Sequence, residues 1–206
     1  VATYSYRDLD GREAFQKIRY EPKDFRQRWP DGQGGWLWKR PGNAPHFLYR
    51  LPELRAAIAE GQTVFICEGE KDADRLASLG LVATSNVEGA SKPEQRQKWK
   101  ADYTEQLTGA ARAILLPHND EQGRAHMRHV AAQLAGKVGE VRWLELAGLP
   151  DKGDVSDWLN AGHTVGELER LANEAQDSQP VAAVLDGESE EFNRHDTRLM
   201  RKSGSS

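Results

Sequence analysis

Residues 64–76 read Val64-Phe65-Ile66-Cys67-Glu68-Gly69-Glu70-Lys71-Asp72-Ala73-Asp74-Arg75-Leu76. The first four are apolar, the length of a short buried strand. Glu68-Gly69-Glu70 ends the run. Ala73, Leu76 and Ala77 then recur three and four apart, as one face of a helix does. The carboxylate of Glu68 therefore falls where a buried strand stops and a helix starts. In open α/β sheets, ligands bind at the carboxyl ends of the strands. The adjoining Gly69 allows a tight turn or the close approach of a phosphate.

The same grammar recurs downstream. Ala113-Ile114-Leu115-Leu116 is a second apolar run. It ends in Pro117-His118-Asn119-Asp120-Glu121-Gln122-Gly123-Arg124, and a helix follows with Met127, Val130, Ala131 and Leu134 on one face. Two acid-bearing turns at one edge of a sheet bring oxygen ligands together, and oxygen ligands suit a hard divalent cation such as magnesium.

Three segments in order, EGEKDADRL (68–76), LLPHNDEQGRAH (115–126) and DKGDVSDWL (151–159), resemble the Toprim domain of primases, topoisomerases and related nucleases. The likeness is greatest to phage and mobile-element primases or primase-helicases, and it covers Thr63 to Asn160. It implies an α/β fold: a Rossmann-like parallel sheet flanked by helices. It implies Glu68 and Asp120 as catalytic residues, and Glu68, Asp120, His118 and Asp72 around Mg2+ (or Mn2+). Asp154 and Asp157 match the third segment, one near the metal and the other capping a helix. The family's Asp-x-Asp has its first aspartate at His118 here. Neutral imidazole is a poor magnesium ligand and a better one for zinc or manganese. Magnesium keeps several waters, so Glu68 and Asp120 can still hold it.

The activity implied is metal-dependent synthesis of RNA primers on single-stranded DNA, a nucleotidyl transfer. Implied partners are single-stranded DNA, ribonucleotides, and a replicative helicase or zinc-binding primase module. Two alternatives stay open: a Toprim nuclease using the same carboxylates, and a non-catalytic nucleic-acid-binding module in which His118 marks lost chemistry. Lys71, Lys92, Arg124 and Lys152 fall in or beside the turns at the carboxyl edge and are candidates for phosphate or nucleotide contact.

Composition bounds the rest. The 206 residues suit one domain, or one plus a small partner. No apolar run approaches the roughly 20 residues of a membrane span, and no secretory pattern opens the chain. The one cysteine, Cys67, sits in an apolar strand, so no disulfide within the chain and a reducing cytoplasm are expected. Structural zinc, which draws on several cysteines and histidines, is not expected. No P-loop occurs, so no helicase motor is expected. Net charge is −4, divided as +3 over residues 1–60, −5 over 61–175 and −2 over 176–206.

Residues 1–60 read as a basic, aromatic, β-rich region, 61–175 as the Toprim-like core, and 176–206 as a disordered tail or linker. Thr3–Arg7 and Ala14–Tyr20 alternate around Asp10-Gly11, as a hairpin does. Trp29–Gly35 reads as a loop, and Trp36–Lys39 and Phe47–Arg50 as further strands. Arg19, Lys23, Arg28, Trp36, Trp38 and Lys39 interleave cations with aromatics. Aromatics stack on unpaired bases and cations follow phosphates. A small sheet core with basic outer faces explains the same residues.

A helix opens at Leu51-Pro52, and another at Pro93 runs to about Leu107. Ser85–Lys92 is a polar loop with phosphate-binding character. Asp154 is a helix N-cap, and Thr164 with Glu167 makes a capping box. His126 and His129, three apart, read as a solvated helix face.

Overall fold

The computed structural model describes residues 1–22, 24–91 and 97–177. Lys23, Lys92, the helix start at Pro93 and the tail beyond Asp177 lie outside the described residues.

The chain opens with an antiparallel sheet of β1 (Ala2–Arg7), β2 (Glu13–Tyr20), β3 (Asp24–Pro30) and β4 (Trp36–Leu37), paired in that order. The hairpin of β1 and β2 follows the alternation in the sequence. Tyr4, Tyr6, Phe15 and Trp29 point inward and are buried. Tyr6 stacks on Phe15 at 4.3 Å, and Phe15 on Trp29 at 5.8 Å. Trp29 and Pro30, read as loop, belong to β3. Their neighbours Arg26, Gln27 and Arg28 hid the strand, because its outer face is polar. Phe47–Arg50, read as a strand, forms none: Tyr49 donates one backbone bond to Ser85 O at 2.9 Å, and the chain turns into the next helix.

That helix is α1 (Leu51–Ala59), with proline in its first turn. There follow β5 (Thr63–Ile66), α2 (Glu70–Ala77), β6 (Val82–Thr84), α3 (Ala101–Leu107), β7 (Arg112–Leu115), α4 (Glu121–Leu134), β8 (Glu140–Trp143), α5 (Val155–Asn160), α6 (Val165–Glu174) and β9 (Gln176–Asp177). The second sheet has the order β6-β5-β7-β8-β9; all neighbours are parallel except β9, which runs antiparallel to β8. Gln176 and Asp177, read as tail, thus close an edge of the sheet. Among the described residues, Lys98, Trp99 and Lys100 are not helical, and the helix that ends at Leu107 begins at Ala101.

The apolar runs of β5 and β7 are continuous because both faces of the sheet are covered. Phe65, Cys67, Ile114 and Leu116 join a core with α2, α5, α6 and the inner residues of the antiparallel sheet. Val64, Ile66, Ala113 and Leu115 join a second core with α1, α3 and α4. His126 lies in that second layer, fully buried against Trp99, and not on a solvated face. Its removal from water pushes its pKa down to about 4. Among the described residues, no helix is long and apolar enough to cross a membrane.

The parallel arrangement puts the ends of β5, β6 and β7 at one edge, with the N-termini of α2, α4 and α5. The antiparallel sheet leans over that edge through its inner face.

Candidate active site

Glu68 lies two residues beyond the end of β5 and is buried. Its Oε1 accepts the main-chain N–H of His118, which follows β7, at 2.8 Å. Its Oε2 lies 3.5 Å from His118 Nδ1. Gly123 packs on the same carboxylate. A Cβ there would sit 2.3 Å from Glu68 Oε1 and 2.9 Å from His118 N and O, so only glycine fits. Burial raises the pKa of Glu68, while His118 pulls it down.

The other face of His118 meets α2. Its Nε2 is buried, lies 3.5 Å from Asp72 Oδ2, and makes no hydrogen bond among the described residues. Asp72 is buried too, and its Oδ1 accepts the hydroxyl of Ser156 at 2.5 Å. Asp154 caps α5 by accepting from Asp157 N at 2.9 Å, and Lys71 Nζ lies 3.0 Å from its Oδ2. Burial lowers the His118 pKa, but the carboxylates of Asp72, Glu68 and Asp154 outweigh it and the net shift is upward. Burial likewise works against the Lys71 ammonium, and Asp154 more than offsets it, leaving the pKa raised.

Asp72, His118 and Asp154 each offer one ligand atom, all within 4.8 Å of one another. Two carboxylates and one imidazole, whose buried Nε2 makes no hydrogen bond among the described residues, are a donor set that a divalent cation fits. Asp120 is differently engaged. It caps α4, accepting the Gly123 N–H at 2.7 Å, and borders the cleft without joining that cluster. Asp157 completes the capping box of α5.

The cleft above these groups holds about 710 Å³. Glu68, His118 and Lys152 line its floor, and Lys17, Arg19 and Phe25 its roof. Gly89 and Ala90, from the loop after β6, also border it, so the polar loop does reach the site. Lys71 and Lys152 are in the cleft. Arg124 is turned aside, donating to Asn119 Oδ1 at 3.2 Å.

The aromatic and basic residues of the first sheet divide between two faces. Arg19 looks into the cleft. Arg28 alternates with the inward Gln27 and Trp29, and its guanidinium lies 4.2 Å from the Trp36 ring and 5.9 Å from Trp38. Trp38 is 55% exposed, and Lys39 is exposed. These residues form an outer patch on the far side of the sheet.

Two residues at the site have no counterpart among those singled out in the sequence. Lys17 Nζ binds Glu70 Oε1 and Oε2 at 2.8 Å each and Val87 O at 2.7 Å. Tyr6 donates to Glu70 Oε1 at 2.6 Å. The signal was available: Lys17 shares its strand parity with Phe15, so a charge sits at an inward position. An inward lysine needs a carboxylate opposite.

No protein-family model and no curated protein matches the chain. Solved structures do match its fold. The Aquifex aeolicus primase, crystallised as its zinc-binding and RNA polymerase domains, aligns at TM-score 0.64 and 21% identity, over 85% of this chain and 40% of that one. The DnaG primase catalytic domain bound to single-stranded DNA aligns at 0.61 and 19%, over 85% and 53%. The primase fragment of the bacteriophage T7 primase-helicase aligns at 0.51 and 22%, over 82% and 61%. The chain spans under two thirds of each of these structures. Its fold resembles that of DNA primase catalytic cores.

Proposed function

We propose that this chain is a primase catalytic core of the phage or mobile-element type, joining ribonucleotides on single-stranded DNA in the cleft between its two sheets. The observation that carries this reading is the extent of the likeness: 85% of the chain aligns with a primase core, antiparallel sheet included. A Toprim fold alone would leave that sheet without a role.

In this reading residues 1–60 guide the template and 61–175 hold the reacting groups. Arg19, above the cleft, meets template phosphate. Lys71 and Lys152 meet the phosphates of the incoming ribonucleotide as point charges. A divalent cation, Mg2+ or Mn2+, supplies charge neutralisation on the reacting phosphates when bound. Glu68, Asp72, Asp120 and Asp154 with His118 form the end of the cleft that holds it. Buried walls on both sides strengthen each of these charge contacts. A replicative helicase or zinc-binding module completes the system as a partner.

The test is incubation with a single-stranded template, four ribonucleoside triphosphates and either cation, with both nucleic acids resolved on gels. Short template-dependent RNA supports the proposal. Shortened template with no RNA would replace it with the nuclease reading.

A further inference from the structure

Glu68 stands where a cation ligand is expected, but its carboxylate is turned onto His118. Oε1 accepts the His118 main-chain N–H at 2.8 Å and is packed against Gly123, and Oε2 faces Nδ1 at 3.5 Å. A carboxylate beside Nδ1 fixes the proton there and leaves the Nε2 lone pair available. That nitrogen is buried, makes no hydrogen bond among the described residues, and lies 3.5 Å from Asp72 Oδ2. Asp72 and Asp154 are in turn held by Ser156 Oγ and Asp157 N–H. A carboxylate that orients a histidine, which then ligates a metal, is a recurring arrangement.

We propose that the cation is held by Asp72, His118 Nε2 and Asp154, with Glu68 positioning the imidazole and not ligating, and that the site selects a first-row transition ion such as Mn2+ or Co2+ over Mg2+. An all-oxygen set suits magnesium; one imidazole nitrogen shifts the preference toward ions that bind nitrogen well. The inference rests on reading the cleft as a cation site, and it holds whichever phosphoryl chemistry the cleft performs.

The test titrates Co2+ and Mg2+ into the full chain by calorimetry, with and without a single-stranded oligonucleotide. Wild type, His118→Asp and Glu68→Gln are compared, and proton NMR is recorded on the Co2+ forms. Wild type is expected to prefer Co2+ over Mg2+ by at least tenfold more than His118→Asp does. It is also expected to show one paramagnetically shifted, exchangeable imidazole N–H, absent from His118→Asp. Glu68→Gln should keep Co2+ bound, weakened about 10–100-fold, and move that resonance. An unchanged Co2+/Mg2+ ratio in His118→Asp, no shifted N–H in wild type, or no cation bound under either condition overturns the proposal. An unmoved N–H in Glu68→Gln overturns the role given to Glu68. Failure of primer synthesis with Co2+ bound through His118 would sink the primase reading alone. Primer synthesis by a magnesium-preferring site without a nitrogen ligand would sink this inference alone.

Discussion

Lys17 Nζ, from the antiparallel sheet, lies 2.8 Å from both carboxylate oxygens of Glu70, the first residue of α2. Both side chains are buried, at 10% and 4% exposure. The same ammonium binds Val87 O at 2.7 Å, in the loop that carries Gly89 and Ala90 to the cleft. One cation thus joins the roof of the cleft to two pieces of its floor, and Glu70 lies two residues from Glu68.

Removing one partner of a buried pair strands the other charge. Lys17→Met is expected to cost about 3–5 kcal/mol of stability, read by urea unfolding. Lys17→Met with Glu70→Gln should recover much of that loss, since no buried charge is left alone. A double variant as unstable as the two single losses added together would show that the pair is not a unit.

Gly123→Ala places a methyl against Glu68 Oε1 and the His118 backbone. Backbone cannot give way as a side-chain tip can. A loss of about 1–3 kcal/mol is expected, together with weakened cation binding as Glu68 and His118 are displaced. Cation binding at wild-type affinity in a folded Gly123→Ala protein would contradict this geometry.

At the proposed cation site, Lys71 competes with the ion for Asp154. Lys71→Met should therefore tighten Co2+ or Mn2+ by up to about 1 kcal/mol, roughly fivefold, because the lysine is half exposed. The same variant should bind ribonucleoside triphosphate more weakly. Calorimetry of each ligand separates the two effects, and weaker cation binding would argue that Lys71 only supports the fold.

His126 is buried neutral, with His129, Lys98 and His118 adding positive potential around it. Its folded pKa of about 4 lies below the ordinary 6.5. The unfolded chain therefore takes up the proton first as pH falls. The stability from keeping this ring neutral is full above about pH 6.5 and is lost progressively down to about pH 4, on the order of 3 kcal/mol. Glu68, with its raised pKa, acts in the opposite sense, so the measurement is a comparison. His126→Leu should flatten the fall in unfolding free energy between pH 6.5 and 4, and an unchanged slope would refute the assignment.

Much of the fold was legible because apolar runs and glycine stops mark parallel strands well. The apolar runs from Val64 and Ala113 fall in β5 (Thr63–Ile66) and β7 (Arg112–Leu115) for the reason their composition gives: both faces are buried. The caps at Asp154 and Thr164 form the boxes their spacing implies. The third strand was hidden by its polar outer face, where Arg26 and Arg28 alternate with Phe25 and Gln27. Phe47–Arg50 has strand-like composition, but tertiary packing against Ser85 and the start of α1 decides its conformation.

At the site, the motif brought Glu68, Asp72, His118 and Asp154 to one place. It did not show which protein groups each carboxylate bonds. Asp120 accepts from Gly123 N and Glu68 from His118 N, contacts that only side-chain geometry reveals. Arg19 shares the inward parity of Phe15 and Lys17, whereas Arg28 pairs with Gln16 on the opposite face, so one meets the cleft and the other the outer patch with Trp36 and Trp38.

The most direct test of the central claim is the rate of dinucleotide formation from two ribonucleoside triphosphates on a defined single-stranded template. It is measured for wild type and Asp72→Asn, with the zinc-binding partner supplied where needed. Wild type should give a product that requires both template and divalent cation, and Asp72→Asn should lower its rate at least a hundredfold while the protein stays folded. Equal rates in the two proteins, or no product from wild type under any of these conditions, would contradict a primase role for this cleft.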